Sequence, residues 1–205
     1  MPTSSPVRRP RRDARENRAG ILAAAADEIA RDPHASLDVI ARAAGLSRRA
    51  LYGHFDDRDA LVSEVLVAGA ARFNAIAARV SDTDPRRALA RLTAGLWQEA
   101  SHVRASAAIA LDETHVGGTA AALAPLRHRI AEIVDHGQAS GVLRTDIPGP
   151  ELAELIEYTG RSIVARMGAH PEATAEVAVK AVLGIAGLSW RETVALLAEL
   201  PEAGE

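Results

Sequence analysis

Cysteine is absent from the 205 residues. That excludes a disulfide scaffold, a cysteine nucleophile and a thiolate zinc site. Aromatic residues make up only 3% of the chain, while alanine abounds. Strands favour aromatic and β-branched side chains, so close-packed helices are expected instead of sheets. There is no alternating apolar and polar run, no hairpin signal and no internal repeat. No apolar stretch approaches the roughly 20 residues of a membrane span. Lysine is scarce too: 23 of the 24 basic residues are Arg, the exception being Lys180. This reads as the codon bias of a GC-rich genome. A phosphate-binding glycine loop, a GxSxG elbow and an HExxH pair are all missing. Neither an enzymatic activity nor a cofactor is expected.

What is present is concentrated in residues 36–55, SLDVIARAAGLSRRALYGHF. Ser36 can cap a helix by accepting a backbone N–H bond. Leu37, Ile40 and Ala41 recur at helical spacing as its buried face. Gly45 suits the turn that ends it, and Ser47 can cap a second helix. Leu51 and Phe55 lie four apart, share one face and point inward. Arg48, Arg49, Tyr52 and His54 are left outside. A helix of that size fits the major groove of DNA, with its N-terminal residues nearest the base edges. The pattern is a helix-turn-helix whose outer residues face nucleic acid.

These residues resemble the tetracycline-repressor (TetR) family of bacterial transcription regulators. The likeness is carried by Ser36, Ile40-Ala41, Ala44-Gly45-Leu46-Ser47 and the ending Leu51-Tyr52-Gly53-His54-Phe55, followed by Asp56-Asp57-Arg58-Asp59-Ala60-Leu61. Arg49 stands where the family often has Gly, Ala50 where Thr is common, and Asp32-Pro33 replaces a frequent Gly between the first two helices. The resemblance implies an all-α protein with an N-terminal three-helix helix-turn-helix domain and a C-terminal helical domain for ligand binding and dimerisation. The expected divisions are a basic flexible arm at 1–12, the DNA-binding domain at 13–57 and the effector-binding and dimerisation domain at 58–205.

Net charge is −3, which by itself argues nothing for DNA. Its distribution says more: residues 1–60 sum to +2 and residues 61–205 to −5. The N-terminal arginines Arg8, Arg9, Arg11, Arg12, Arg15 and Arg18 could follow phosphates or enter the minor groove. They could equally keep a Pro-containing tail soluble. A twin-arginine export signal fits poorly, because the apolar run 20–30 is short and broken by Asp27 and Glu28. A cytoplasmic location is expected.

Helical periodicity places a first helix at 13–30, with Ile21, Leu22, Ala25 and Ile29 inward. A long helix starts near Arg58, with Val62, Val65, Leu66, Gly69, Phe73, Ile76 and Val80 on one face. Asp84-Pro85 starts the next helix, with Pro at its first position. A shorter helix is expected at 104–112, and the periodicity resumes at Leu123, Leu126, Ile130, Ile133 and Val134. Helices at 151–167 and 172–188 close the chain, separated by Gly168-Ala169-His170-Pro171. The resemblance implies that these two pair with their copies in a homodimer. Asp112, Glu113 and His115, with His102 upstream, are metal-ligand residue types, but a polar loop between helices accounts for them better, and no metal site is expected.

The expected DNA-binding residues are Arg18, Ser36, Ser47, Arg48, Arg49, Tyr52, His54 and Arg58, with Arg18 and Arg58 on phosphate. The partner is double-stranded DNA with a palindromic operator. An effector pocket in the body is expected to draw its walls from Phe73, Ile76, Leu96, Trp97, Ala100, Leu111, Leu126, Ile130 and Tyr158. His102, Thr114 or His115 would lie at its rim. An apolar lining of this kind suits a hydrophobic or amphipathic molecule. The sequence thus points to a repressor released by a small molecule. Two other readings stay open: an orphan DNA-binding regulator without a ligand, and a helical ligand-binding or catalytic body with a vestigial helix-turn-helix.

Overall fold

The computed structural model describes residues 10–102, 116–166 and 174–200. Among them the chain is all helical. The helices are α1 Pro10–Arg31, α2 Leu37–Ala43, α3 Arg48–Tyr52, α4 Arg58–Arg79, α5 Pro85–His102, α6 Val116–Ala122, α7 Ala124–Ala139, α8 Gly149–Arg166, α9 Ala175–Ile185 and α10 Trp190–Glu199. The chain forms two compact units, residues 1–68 and 69–205, and α4 contributes to both.

The first unit is built on the expected apolar positions. Ile21, Ala25 and Ile29 of α1 repeat every fourth residue and are buried, the spacing that puts them on one helical face. Leu37, Ile40 and Ala41 of α2 meet them, with Leu51 and Phe55 behind α3 and Leu61, Val62, Val65 and Leu66 of α4. Gly45 ends α2 at φ 69°, a left-handed conformation that glycine adopts without a Cβ clash. The Leu46 N–H then bonds back to the Ala41 carbonyl at 2.8 Å and the Gly45 N–H to Arg42 at 3.1 Å. These bonds satisfy carbonyls that the helix end would leave open. Asp57 Oδ1 accepts from the Ala60 N–H at 2.7 Å and caps α4.

The second unit closes around α5. Leu89 and Leu92 of α5, Ile130, Ile133 and Val134 of α7, Leu152 and Ile156 of α8, and Val179, Val182 and Leu183 of α9 share one core with Leu196 of α10. Arg127 of α7 reaches Glu157 of α8 through two parallel bonds of 2.8 Å, the paired geometry that suits a guanidinium to a carboxylate.

Two features differ from the expectation. The last expected helix, 172–188, stops at Ile185, and a further helix, α10, follows. Gly187 at φ 105° makes the turn. Ser189 and Glu192 then cap each other's backbone N–H groups, a reciprocal box that starts a helix. The signal Ser189-Trp190-Arg191-Glu192 stood in the sequence. The second difference concerns apolar length: α4 is long and apolar enough to cross a membrane, with a mean hydropathy of 1.4. Its apolar face instead meets protein at Leu61, Val62, Val65, Leu66, Ala70 and Ala77, and Glu64 and Arg72 on it are ion-paired. The expected helix at 104–112 and turn at 168–171 lie outside the described residues.

Candidate nucleic-acid interface

The short helix α3 is fixed from both ends. Ser47 accepts from the Ala50 N–H at 3.2 Å, as Ser36 accepts from Val39 at 3.4 Å at the start of α2. A capping hydroxyl satisfies N–H groups that have no partner within the helix. On the inner side Leu51 and Phe55 are 1% and 3% exposed. Arg48, Arg49, Tyr52 and His54 are all exposed. The outer face of α3 therefore presents two cations and a phenol, and the turn that follows it adds an imidazole.

The outer residues are not equivalent. Arg48 Nη1 donates to Asp38 Oδ2 of α2 at 3.0 Å, and its guanidinium lies over the Tyr52 ring, 5.4 Å from the centroid. The Tyr52 hydroxyl, and after it the Asp38 carboxylate, hold the Arg48 guanidinium above its ordinary pKa. Among the described residues, Arg49 has no side-chain partner within the chain. Arg48 is thus pre-oriented along α3, and Arg49 is free to search.

Arg18 and Arg58 are placed differently from Arg48 and Arg49. Arg58 Nε donates to the Ala35 carbonyl at 3.1 Å and Nη2 to Pro33, tying the start of α4 to the connection between α1 and α2. Arg18 Nε donates to Glu64 Oε2 at 3.1 Å and Nη1 to the His54 carbonyl at 3.3 Å; Nη2 bonds Glu64 Oε1. Nothing in residue spacing alone marked Glu64 or Asp38 as partners of these arginines, because the pairs lie on different helices.

In the second unit Phe73, Ile76, Leu96 and Trp97 are half-buried and Ala100 is buried. Leu126 and Ile130 belong to the closed core. Tyr158 is 63% exposed, on α8 one turn from Leu155, which is also exposed; expected as a pocket wall, it faces outward instead. Leu111, Thr114 and His115 lie outside the described residues, as does the side chain of His102 and the polar set Asp112, Glu113 and His115. Among the described residues no group of His, Cys, Asp and Glu could hold a metal ion.

Residues 21–65 match the model of the family described as bacterial regulatory proteins, tetR family. No curated protein sequence matches the chain. Solved structures do share its fold. The fatty acid degradation regulator FadR from Bacillus halodurans is 19% identical, with a TM-score of 0.71 over 83% of this chain and 95% of its own. FadR from Bacillus subtilis, solved in complex with stearoyl-CoA, is 13% identical, with a TM-score of 0.71 over 82% and 97%. The TetR family transcriptional regulator PfmR from Thermus thermophilus is 21% identical, with a TM-score of 0.66 over 82% and 98%.

Proposed function

We propose that this chain, whose residues 21–65 match the bacterial tetR regulatory family and whose fold is shared over 83% of its length with a solved regulator, is a homodimeric transcriptional repressor. It reads a palindromic operator and is released by a small hydrophobic effector. The carrying observation is the outer face of α3. Arg48, Arg49 and Tyr52 stand exposed on a helix capped by Ser47 and backed by buried Leu51 and Phe55, with His54 exposed in the turn just beyond it. Such a helix enters the major groove, where an arginine can make paired bonds to guanine O6 and N7. Ser36 and Ser47, at the starts of α2 and α3, would offer backbone and hydroxyl groups to phosphates.

A dimer supplies the two recognition helices that half-sites one helical turn apart require. Leu155, Tyr158 and Val177 support it. They are large, apolar and exposed on α8 and α9, the two helices for which pairing was expected. The effector reading rests on the half-buried Phe73, Ile76, Leu96 and Trp97 of the body. Its chemistry would be amphipathic, and the stearoyl-CoA bound by the Bacillus subtilis protein belongs to that class. Release would follow from tighter binding to a state in which α4 is tilted and the recognition helices no longer match successive grooves. The effector can shift that equilibrium only by its differential affinity for the two states. Leu126 and Ile130, closed into the core, favour the second reading, a regulator without an effector.

The test is selection of duplexes from a random pool by the purified protein. A palindrome should be enriched and bound by two copies. Recovery of no sequence above background would remove the DNA-binding reading. Trp97 fluorescence, read in a Trp190→Phe background, decides the effector. A long-chain acyl-CoA should change it and weaken operator binding over one concentration range. Its failure to do either favours the regulator without an effector.

A further inference from the structure

Arg18 lies near the arginines of the N-terminal arm, and a basic residue there reads most simply as a phosphate contact. Each of its three nitrogens already has a partner, however, and three of its five N–H groups are used. Nε and Nη2 grip both oxygens of Glu64 on α4, and Nη1 donates to the His54 carbonyl at 3.3 Å. The same guanidinium covers the ring of Phe55 at 4.6 Å from its centroid. Phe55 is buried and anchors the end of the recognition segment, where helix carbonyls run out of partners. One side chain of α1 thereby joins the end of the recognition segment to α4. A half-exposed ion pair alone contributes little. Here it is bidentate and combined with a backbone bond and a ring contact, all on the same residue.

We propose that Arg18 and Glu64 form a positioning clamp that fixes the recognition helix on its scaffold, so that Arg18 acts on operator binding through α3 and α4 and not by touching phosphate. The inference rests on the DNA-binding reading above. Arg58 in turn ties the start of α4 to the Ala35 and Pro33 carbonyls. Glu64 is then an acidic residue that a DNA-binding head needs.

Simple electrostatics and the clamp give opposite signs, which makes the test sharp. Removing a negative charge from a DNA-binding surface should tighten binding through phosphate attraction. The clamp instead requires that Glu64→Gln weaken binding to the duplex selected by the wild type, on the order of tenfold, the scale of one charge-assisted hydrogen bond. Binding to random-sequence DNA should stay equal or become tighter. Arg18→Ala should lose operator affinity with the slope of log K against log salt unchanged, whereas a lost phosphate contact lowers that slope by about 0.9. The exchange variant R18E/E64R should recover part of the loss. Circular dichroism and thermal melting check each variant's fold, and Glu64→Gln decides if Arg18→Ala does not fold. If Glu64→Gln binds the selected duplex as tightly as the wild type or tighter, or if Arg18→Ala lowers the salt slope, the clamp is overturned while the DNA-binding reading stands. If the wild type enriches no duplex, both fall together.

Discussion

Asn74 of α4 caps a helix that begins far along the chain. Its Oδ1 accepts from the Leu126 N–H at 3.1 Å and its Nδ2 donates to the Ala122 carbonyl at 2.9 Å. Residue Leu123, just before α7, provides no side-chain cap. One open N–H group of α7 is therefore served by a residue 52 positions upstream of Leu126, and α6, α7 and the second half of α4 are joined at one amide.

Asn74→Ala should cost on the order of 1–2 kcal/mol, the range for losing a capping side chain. Asn74→Asp keeps the acceptor and loses the donor, and should cost less. Chemical denaturation checks both. Equal stability of Asn74→Ala and wild type would show the contact to be incidental.

Two glycine-to-alanine changes should have opposite signs. Both positions are helical, and alanine is the better helix former by roughly 0.5–1 kcal/mol. At Gly20 an added Cβ meets nothing within 4 Å, so Gly20→Ala should stabilise by about that amount. At Gly137 the Cβ would stand 2.4 Å from the Leu143 side chain. Leu143 is itself buried in the core and has little room to yield. Gly137→Ala should lower the melting temperature.

Arg48→Ala and Arg49→Ala should each weaken operator binding by about 1–3 kcal/mol where the side chain reads a base. Arg48 is already held by Asp38 and Tyr52, so less of its freedom is lost on binding. Its substitution is expected to relax discrimination at one operator position. Binding to a panel of single-base operator variants measures this; unchanged discrimination for both substitutions would place specificity in Tyr52 or the N-terminal arm.

Leu183 and Val177 separate folding from assembly. Leu183 is fully buried in the core of the second unit, whereas Val177 on the same helix is 48% exposed. Leu183→Asp buries an unpaired charge, at a cost of several kcal/mol, and should unfold the body. Val177→Asp should leave the helix content intact and give monomers, because an interface of this kind buries about 2,000 Å² or more and is spoiled by a charge. Light scattering and circular dichroism distinguish the two. A wild type that is monomeric at micromolar concentration would remove the assembly reading.

Asp84 gives an acid-dependent contribution. Its carboxylate accepts from the Arg86 backbone N–H at 2.9 Å and from the guanidinium at 3.0 and 2.7 Å. The Arg86 side chain chiefly holds the Asp84 carboxyl below its ordinary value of 3.8. A group whose pKa is lower when folded stabilises the fold above its unfolded pKa and loses that contribution as pH falls through the folded value. Melting temperature should therefore drop below about pH 4 by less in Asp84→Asn than in the wild type. Parallel curves would show that Asp84 is not part of the acid response.

Local chemistry decided the helix-turn-helix head. Ser36, Gly45 and Ser47 mark helix ends by short-range hydrogen bonding and backbone freedom, and the spacing of Leu51 and Phe55 fixes which side of α3 turns inward. Each of these acts within a few residues, so the sequence carried them openly, and with them the row Arg48, Arg49, Tyr52 and His54. The turn at Gly187 and the box at Ser189 and Glu192 were equally local, yet apolar periodicity running through residue 188 hid them. Pairings between helices were not legible. Asp38 meets Arg48, Glu64 meets Arg18 and Asn74 meets Leu126 only after the chain has folded, because partner choice across tens of residues depends on how apolar faces pack. Amphipathic spacing says that Tyr158, Leu126 and Val177 lie on helices with an apolar side. It does not say which neighbour covers that side. The tertiary structure buried Leu126, left Tyr158 and Val177 outside, and turned Arg18 from a free cation into a bonded one.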